Sequence, residues 1–199
     1  MSEKPDEQNE RVWDPLVRLT HWTIALAVVL NGFIIDEDAL AHIWIGYAAL
    51  SLLALRLLWG LIGTENAKFT SFLISFSGAA RHVSGLMRGQ HPKYKSHNPL
   101  GALMVYALWG TLLVVSATGV MLENELFPEN DAEYSGQFEE EEEEEEDHDE
   151  GGEDLIEEIH EGAANLLLLL AALHVGGVIL ESRLSGRNLV RAMISGPRS

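Results

Sequence analysis

The chain has 199 residues, enough for one domain or one small helical bundle, and it contains no cysteine. The absence of thiols excludes structural disulfides, thiolate-bound iron–sulfur clusters and haem attached through a C-x-x-C-H motif. The formal net charge of −18 argues against a nucleic-acid or acidic lipid partner. The mean hydropathy of +0.04 averages very apolar stretches with very acidic ones.

Four apolar segments, each about long enough to cross a bilayer, lie at residues 16–35, 42–62, 100–122 and 160–181. The residues before the first segment are polar and carry no cleavage signature, so we expect an uncleaved membrane anchor rather than a signal peptide. The sequence therefore predicts an all-α integral membrane four-helix bundle that spans residues 1–199 as a single domain in contact with lipid.

The basic residues are segregated among the connections. Between the first two segments, and between the last two, there is no lysine or arginine. All 13 basic residues lie in three other places: Lys4, Arg11 and Arg18; Arg56, Lys68, Arg81, Arg88, Lys93 and Lys95; Arg183, Arg187, Arg191 and Arg198. Because cytoplasmic loops carry the excess of basic residues, both termini and the loop at 63–99 are predicted to be cytoplasmic, in a bacterial inner membrane.

The two long loops differ in character. Residues 63–99 mix apolar, small and basic residues, which predicts either an amphipathic helix at the membrane surface or a linker helix packed under the bundle. His82 and His91 in this loop are interpreted as surface residues. The outer loop at 123–159 contains an unbroken acidic run, Glu139–Glu146, and is predicted to be disordered, so His148 is not counted as a ligand.

The last apolar segment carries two histidines, His160 and His174, fourteen residues apart. At about 100° and 1.5 Å per residue, both imidazoles point to the same side of a helix, roughly 21 Å apart along its axis. Because a histidine inside a bilayer is costly without a partner, such residues face the bundle interior. A plain alternative is that His160 marks the interface and His174 hydrogen-bonds a neighbouring helix.

The predicted topology sorts four intramembrane histidines into two layers. His42 and His160 lie near the outer side, and His21 and His174 near the cytoplasmic side. Two imidazoles from different helices in each layer favour two bis-histidine haems b, stacked across the bundle. Zinc is the weaker interpretation, since it takes three or four protein ligands.

Arg56 and three glycines complete the predicted site. Arg56 follows His42 by fourteen residues, so it shares that helix face at the depth of the cytoplasmic layer. It could pair with a haem propionate, or its side chain could extend to the cytoplasmic interface. Gly46, Gly176 and Gly177 lie near ligand histidines and leave room for a flat macrocycle, although glycine also serves close helix packing.

Several short stretches, in this order, resemble the bacterial di-haem cytochrome b561 family, which includes the cytochrome b subunits of nickel–iron hydrogenases. The matching residues cover nearly all of the chain except the acidic loop: Trp13-Asp14-Pro15, Arg18 and His21-Trp22; His42, Gly46, Arg56 and Trp59-Gly60; His97-Asn98-Pro99-Leu100-Gly101; His160 through Asn165 to His174; and Asn188-Leu189-Val190-Arg191-Ala192-Met193. The resemblance implies four helices, haem ligands on the first, second and fourth, and electron transfer between a quinone and a partner.

The expected function is therefore electron transfer across the membrane between the quinone pool and a cationic periplasmic redox protein, such as a c-type cytochrome. The rivals are a superoxide:quinone oxidoreductase, a membrane anchor of a nickel–iron hydrogenase and a transporter that uses histidine as a proton relay. His97 is interpreted as a capping or interface residue, with a hydrogen bond to a quinone or a reserve ligand role as the alternative. The sequence does not decide between a monomer and a homodimer.

The predicted topology can be tested by cysteine labelling, because the chain has no cysteine of its own. An impermeant thiol reagent added from outside should leave Gln90→Cys unlabelled and should label the control Glu37→Cys. Labelling of Gln90→Cys from outside would overturn the topology and the assignment of the histidines to layers.

Overall fold

The computed structural model describes residues 14–65, 67–88, 98–126, 146–186 and 188–195, and their regular secondary structure is helical throughout. A 3-10 turn, Phe69–Ser71, lies between the second and third helices. The helices are α1 (Pro15–Phe33), α2 (Leu40–Ile62), α3 (Phe76–Met87), α4 (Pro99–Leu126), α5 (Glu146–Ser185) and α6 (Leu189–Ser195).

Four helical stretches are long and apolar enough to cross a membrane: Pro15–Phe33, Leu40–Ile62, Pro99–Glu123 and Asp154–Leu184. They contain or closely match the four predicted segments, so the all-α membrane fold is confirmed. The side of the membrane on which the termini lie stays a prediction.

The bundle is built on the long contact between α4 and α5, with α1 paired to α2 and α2 packed on α4. Its centre is Leu53, only 1% exposed, in contact with Leu112 and Leu167 from the two neighbouring helices. Many other large apolar side chains are exposed, among them Leu58, 59% exposed, and Leu169, 57% exposed. In a membrane such side chains face lipid, so close packing rather than exclusion of water holds the helices together.

Three helices begin at side-chain caps that the sequence provides. Asp14 accepts a hydrogen bond from the Leu16 amide at 2.8 Å, with Pro15 at the first helical position of α1. Asn98 accepts from Gly101 N at 2.6 Å at the start of α4, and Asn188 accepts from Arg191 N at 2.8 Å at the start of α6. These caps belong to three of the stretches that carry the resemblance.

The helix α3 packs on α4, which supports the linker-helix alternative for the loop at 63–99. Ala79 and His82 are buried in this contact, while Phe76 and Val83 are exposed. His82 is only 3% exposed, and its Nε2 lies 3.8 Å from Oε2 of Glu181 on α5. The prediction that His82 is a surface residue was wrong, because α3 turns that side of its helix towards the bundle. His91 lies outside the described residues.

The helix α5 begins at Glu146, fourteen residues before His160, and α4 continues to Leu126. The prediction of disorder was therefore wrong for residues 146–159. Glutamate is a good helix former, and acidic side chains near a helix N-terminus interact favourably with its dipole, so an attached apolar span extends into the acidic stretch. Residues 127–145, with most of the run Glu139–Glu146, lie outside the described part of the chain, as does the side chain of His148.

Gly60 lies where α2 packs closely against the ring of Phe69. A Cβ at this position would lie 2.5–2.9 Å from atoms of the Phe69 ring, which is itself in contact with Phe72, Tyr106 and Trp109. Gly60→Ala should lower the free energy of unfolding by about 1–3 kcal/mol through overpacking. The control Gly110→Ala, where a Cβ would meet nothing within 4 Å, should leave stability unchanged or raise it slightly. Thermal unfolding in detergent measures both, and equal melting temperatures would contradict the packing.

Candidate functional site

The first pair of histidines joins α1 to α5. The ring centroids of His21 and His174 lie 6.2 Å apart, with the ring planes inclined by 57°. Trp22, the next residue on α1, sets its ring edge-on to His21 with a centroid separation of 5.3 Å. The sequence predicted that these two imidazoles share a layer, and the structure brings them together.

The second pair joins α2 to α5. The ring centroids of His42 and His160 lie 6.3 Å apart, with the planes inclined by 58°. Since His160 and His174 are fourteen residues apart on one helix, the two pairs are separated by roughly 21 Å along α5. Asn31 on α1 donates through Nδ2 to the backbone oxygen of His42 at 2.9 Å and so ties α1 to the start of α2.

Both ring-centroid separations are compatible with two imidazole nitrogens that bind one metal ion. Imidazoles bound at about 2.0–2.1 Å place their ring centroids roughly 6.4 Å apart, because each centroid lies about 1.1 Å behind its ligating nitrogen. Among the described residues there is no group of three or more His, Cys, Asp or Glu side chains placed to hold a metal ion. Each pair would therefore supply two ligands to a metal that a non-protein group also holds, and among the described residues neither pair has the further protein ligands of a tetrahedral zinc site.

Open space lies beside the histidines where the sequence places glycine. A Cβ added at Gly46, one turn after His42, would meet no atom within 4 Å, and the same holds at Gly176 and Gly177 after His174. Nδ1 of His21 and of His42 is buried without a hydrogen-bond partner among the described residues. Unpaired buried nitrogens and free space beside the rings are what a site for a bound group provides.

Arg56 is 5% exposed inside the bundle. Its Nη2 donates to the backbone oxygen of Ala67 at 3.2 Å, and its Cζ lies 5.0 Å from the centroid of the Trp109 ring, a cation–π contact. Nη1 is buried without a partner in the described part of the chain. The aromatic ring and the carbonyl hold the guanidinium between α4 and the connection that follows α2, and extension of the side chain to the cytoplasmic interface stays a prediction. Its pairing with a propionate stays a prediction.

Thr118 on α4 contacts His160, a neighbour that the sequence reasoning missed. Thr118 is 8% exposed, and its Oγ1 lies 3.0 Å from Nδ1 of His160. The adjacent Gly119 has no side chain to crowd the imidazole ring of His160. A Cβ at this position would come within 3.1 Å of Cε1 of that ring. The only signal in the sequence was a Thr-Gly pair in the C-terminal half of a mostly apolar span.

A family model described as prokaryotic cytochrome b561 matches residues 12–196. The chain belongs to this family. It is therefore a haem-b protein that transfers electrons in a membrane, as the resemblance in the sequence implied. No curated protein and no solved structure gives a significant match to the chain.

The family's C-terminal stretch is fastened to α1 next to His21. In this cytochrome Arg18 donates through Nε to the backbone oxygen of Met193 at 3.0 Å and through Nη2 to that of Ile194. Trp22 donates through Nε1 to the Met193 oxygen at 3.4 Å. A cation at the C-terminal end of α6 satisfies carbonyls that have no intrahelical partner. These bonds therefore hold α6 beside the His21–His174 pair.

His97 precedes α4 and lies outside the described residues, so neither its capping role nor its contact with a quinone is tested. Asn98 does the capping at this helix, through the hydrogen bond that it accepts from Gly101 N.

Proposed function

We propose that this member of the family is a di-haem cytochrome b that transfers electrons across the bacterial inner membrane, between the quinone pool and a periplasmic redox partner. The observation that carries the proposal is the pair of facing imidazoles at each of two depths, with ring separations of 6.2 and 6.3 Å. Ring centroids near 6.4 Å apart are expected when two imidazoles bind one iron through nitrogen, if the bonds are roughly as long as in other imidazole–metal sites.

The proposed ligands act as two sets. His21 and His174 would hold the haem on the cytoplasmic side, and His42 and His160 the haem on the periplasmic side. Haem iron supplies the reversible one-electron chemistry, while the protein supplies axial ligands, spacing and electrostatics. Arg56 would place its positive charge near a propionate of the cytoplasmic-side haem, and its unpaired Nη1 supports this role.

The proposed orientation rests on charge. The connection between α1 and α2, and the one between α4 and α5, contain no lysine or arginine. All 13 lie in three other regions: from the N-terminus to the first turn of α1, from the last two turns of α2 to the loop before α4, and from the end of α5 to the C-terminus. The positive-inside rule then places the loop at 63–99 and both termini in the cytoplasm. His21 and His174 lie near that side, where a quinone would exchange electrons and protons.

The acidic connection supports a cationic partner outside the membrane. From Glu123 to Glu161 there are 21 acidic residues and no lysine or arginine, and this stretch ends beside His160. Such a field attracts a basic protein, most simply a c-type cytochrome, to the place where an electron enters or leaves. It repels an anionic substrate, so we rank a superoxide:quinone oxidoreductase second. A hydrogenase anchor, which the family resemblance suggests, ranks close to it.

Single histidine variants test the proposal and its two sets of ligands. His42→Ala and His160→Ala should each remove the same haem, and His21→Ala and His174→Ala should each remove the other. Redox titration of the visible spectrum identifies which haem remains. His82→Gln is the control, because His82 is a buried histidine that belongs to neither facing pair, and it should keep both haems. Loss of the same haem from His42→Ala and His174→Ala would contradict the assignment.

Removing the charge of the acidic run tests the proposal that the redox partner is cationic. We expect replacement of each glutamate from 139 to 145 by glutamine, ahead of α5 and without change in length, to slow electron exchange with a basic c-type cytochrome several-fold at low salt. The difference should shrink as salt shortens the Debye length from about 30 Å at 0.01 M to about 8 Å at 0.15 M.

Stopped-flow mixing of the intact protein and this variant across an ionic-strength series gives both rates. The visible spectra of the two proteins should be the same, which is the control for haem content. Equal rates at every salt concentration would remove the argument for a cationic partner.

A further inference from the structure

The hydroxyl of Thr118 lies among three groups. Its Oγ1 is 2.9 Å from the backbone oxygen of Val114, 3.1 Å from that of Val115 and 3.0 Å from Nδ1 of His160. A carbonyl oxygen can only accept a hydrogen bond, whereas a hydroxyl has one hydrogen to donate and two lone pairs. When the single hydrogen of Thr118 points to either carbonyl, a lone pair faces His160.

This arrangement selects one tautomer of His160. With its hydrogen used on the backbone, Thr118 can only accept from the ring, so Nδ1 carries the proton and donates. In a neutral imidazole the other nitrogen, Nε2, then holds the lone pair that binds a metal. Because Gly119 has no side chain, the ring of His160 has room beside α4.

His160 differs in this respect from the other three intramembrane histidines. His21 and His42 leave Nδ1 without a partner, and no ring nitrogen of His174 hydrogen-bonds to any residue in the described ranges. The two proposed haem sites are therefore not equivalent, since one axial ligand of one site is held by a side-chain hydrogen bond.

We propose that Thr118 is a positioning residue that fixes the Nδ1–H tautomer of His160 and lowers the reduction potential of the periplasmic-side haem; this rests on the proposed function. A hydrogen bond from Nδ1–H makes the imidazole a more basic ligand and fixes its orientation. A more electron-rich ligand stabilises ferric over ferrous iron, and hydrogen bonding around the ligands is one of the means by which a protein sets haem potential.

The test is a redox titration of the protein with both haems bound, comparing Thr118→Val with wild type. Valine keeps the branched shape and removes the hydroxyl, so the potential of the periplasmic-side haem should rise. The expected shift is roughly threefold to tenfold in the ferric/ferrous equilibrium, which is about 28–59 mV for one electron. The other haem should keep its potential. The electron paramagnetic resonance signal of the ferric periplasmic-side haem should change with it.

Two further variants separate the hydrogen bond from general effects on α4. Thr118→Ser keeps the hydroxyl and should behave like wild type. Thr111→Val is the matched control: Thr111 lies two turns earlier on α4, and its Oγ1 donates to the Ala107 oxygen at 2.9 Å without a histidine contact. It should leave both potentials unchanged.

Loss of the periplasmic-side haem from Thr118→Val but not from Thr118→Ser also supports the positioning role. Unchanged potentials in Thr118→Val with both haems bound would overturn it, as would the same shift in Thr118→Ser. These outcomes are distinct from failure of the proposed function, which would appear as fewer than two haems in the wild-type protein.

Discussion

The helical repeat of α5 determines where this protein can place histidine side chains inside the bundle. Fourteen residues bring His174 back to the side of the helix that His160 occupies, at a different depth in the membrane. A polar ring at such a depth needs a partner, because lipid offers none. The antiparallel helices α1 and α2 supply one imidazole each, at opposite ends of the bundle, and α4 packs along α5 to support the arrangement.

Several polar side chains around this axis are held by specific contacts. The one arginine buried among the described residues, Arg56, is held by an aromatic ring and a carbonyl. Arg18 donates to two backbone carbonyls of α6. The hydroxyl of Thr118 contacts His160 and two carbonyls of its own helix. A positive charge kept inside the bundle favours a bound anion nearby.

The spans and the pairing of the four histidines could be predicted because both follow from period and depth. The length of an apolar run predicts the length of a span, and the charges in the loops predict the direction in which the span crosses the membrane. His21 and His42 both lie near the start of their helices, so they fall at opposite ends of the bundle. Side-chain contacts between helices have no such signature. The burial of His82 depends on which side α3 presents to α4, and the contact of Thr118 with His160 depends on the rotation of α4 about its axis.

Helix ends were harder to predict than helix centres. The stretch before His160 is acidic and of low complexity, which is typical of disorder, yet α5 extends through it from Glu146. Continuation of a helix from a stable span adds one hydrogen bond per residue without a new nucleus, so the local composition did not decide the outcome. As a result His160 lies well inside the helix rather than at its first turn.

The central claim is that one chain holds two bis-histidine haems b. The most direct measurement is haem content per chain in the purified wild-type protein, combined with the electron paramagnetic resonance spectrum of the oxidised form. We predict two haems per chain, both low-spin and six-coordinate, with no high-spin signal. One haem per chain, or a stoichiometric high-spin signal, would contradict the account, because one of the two facing histidine pairs would then not bind iron through both rings.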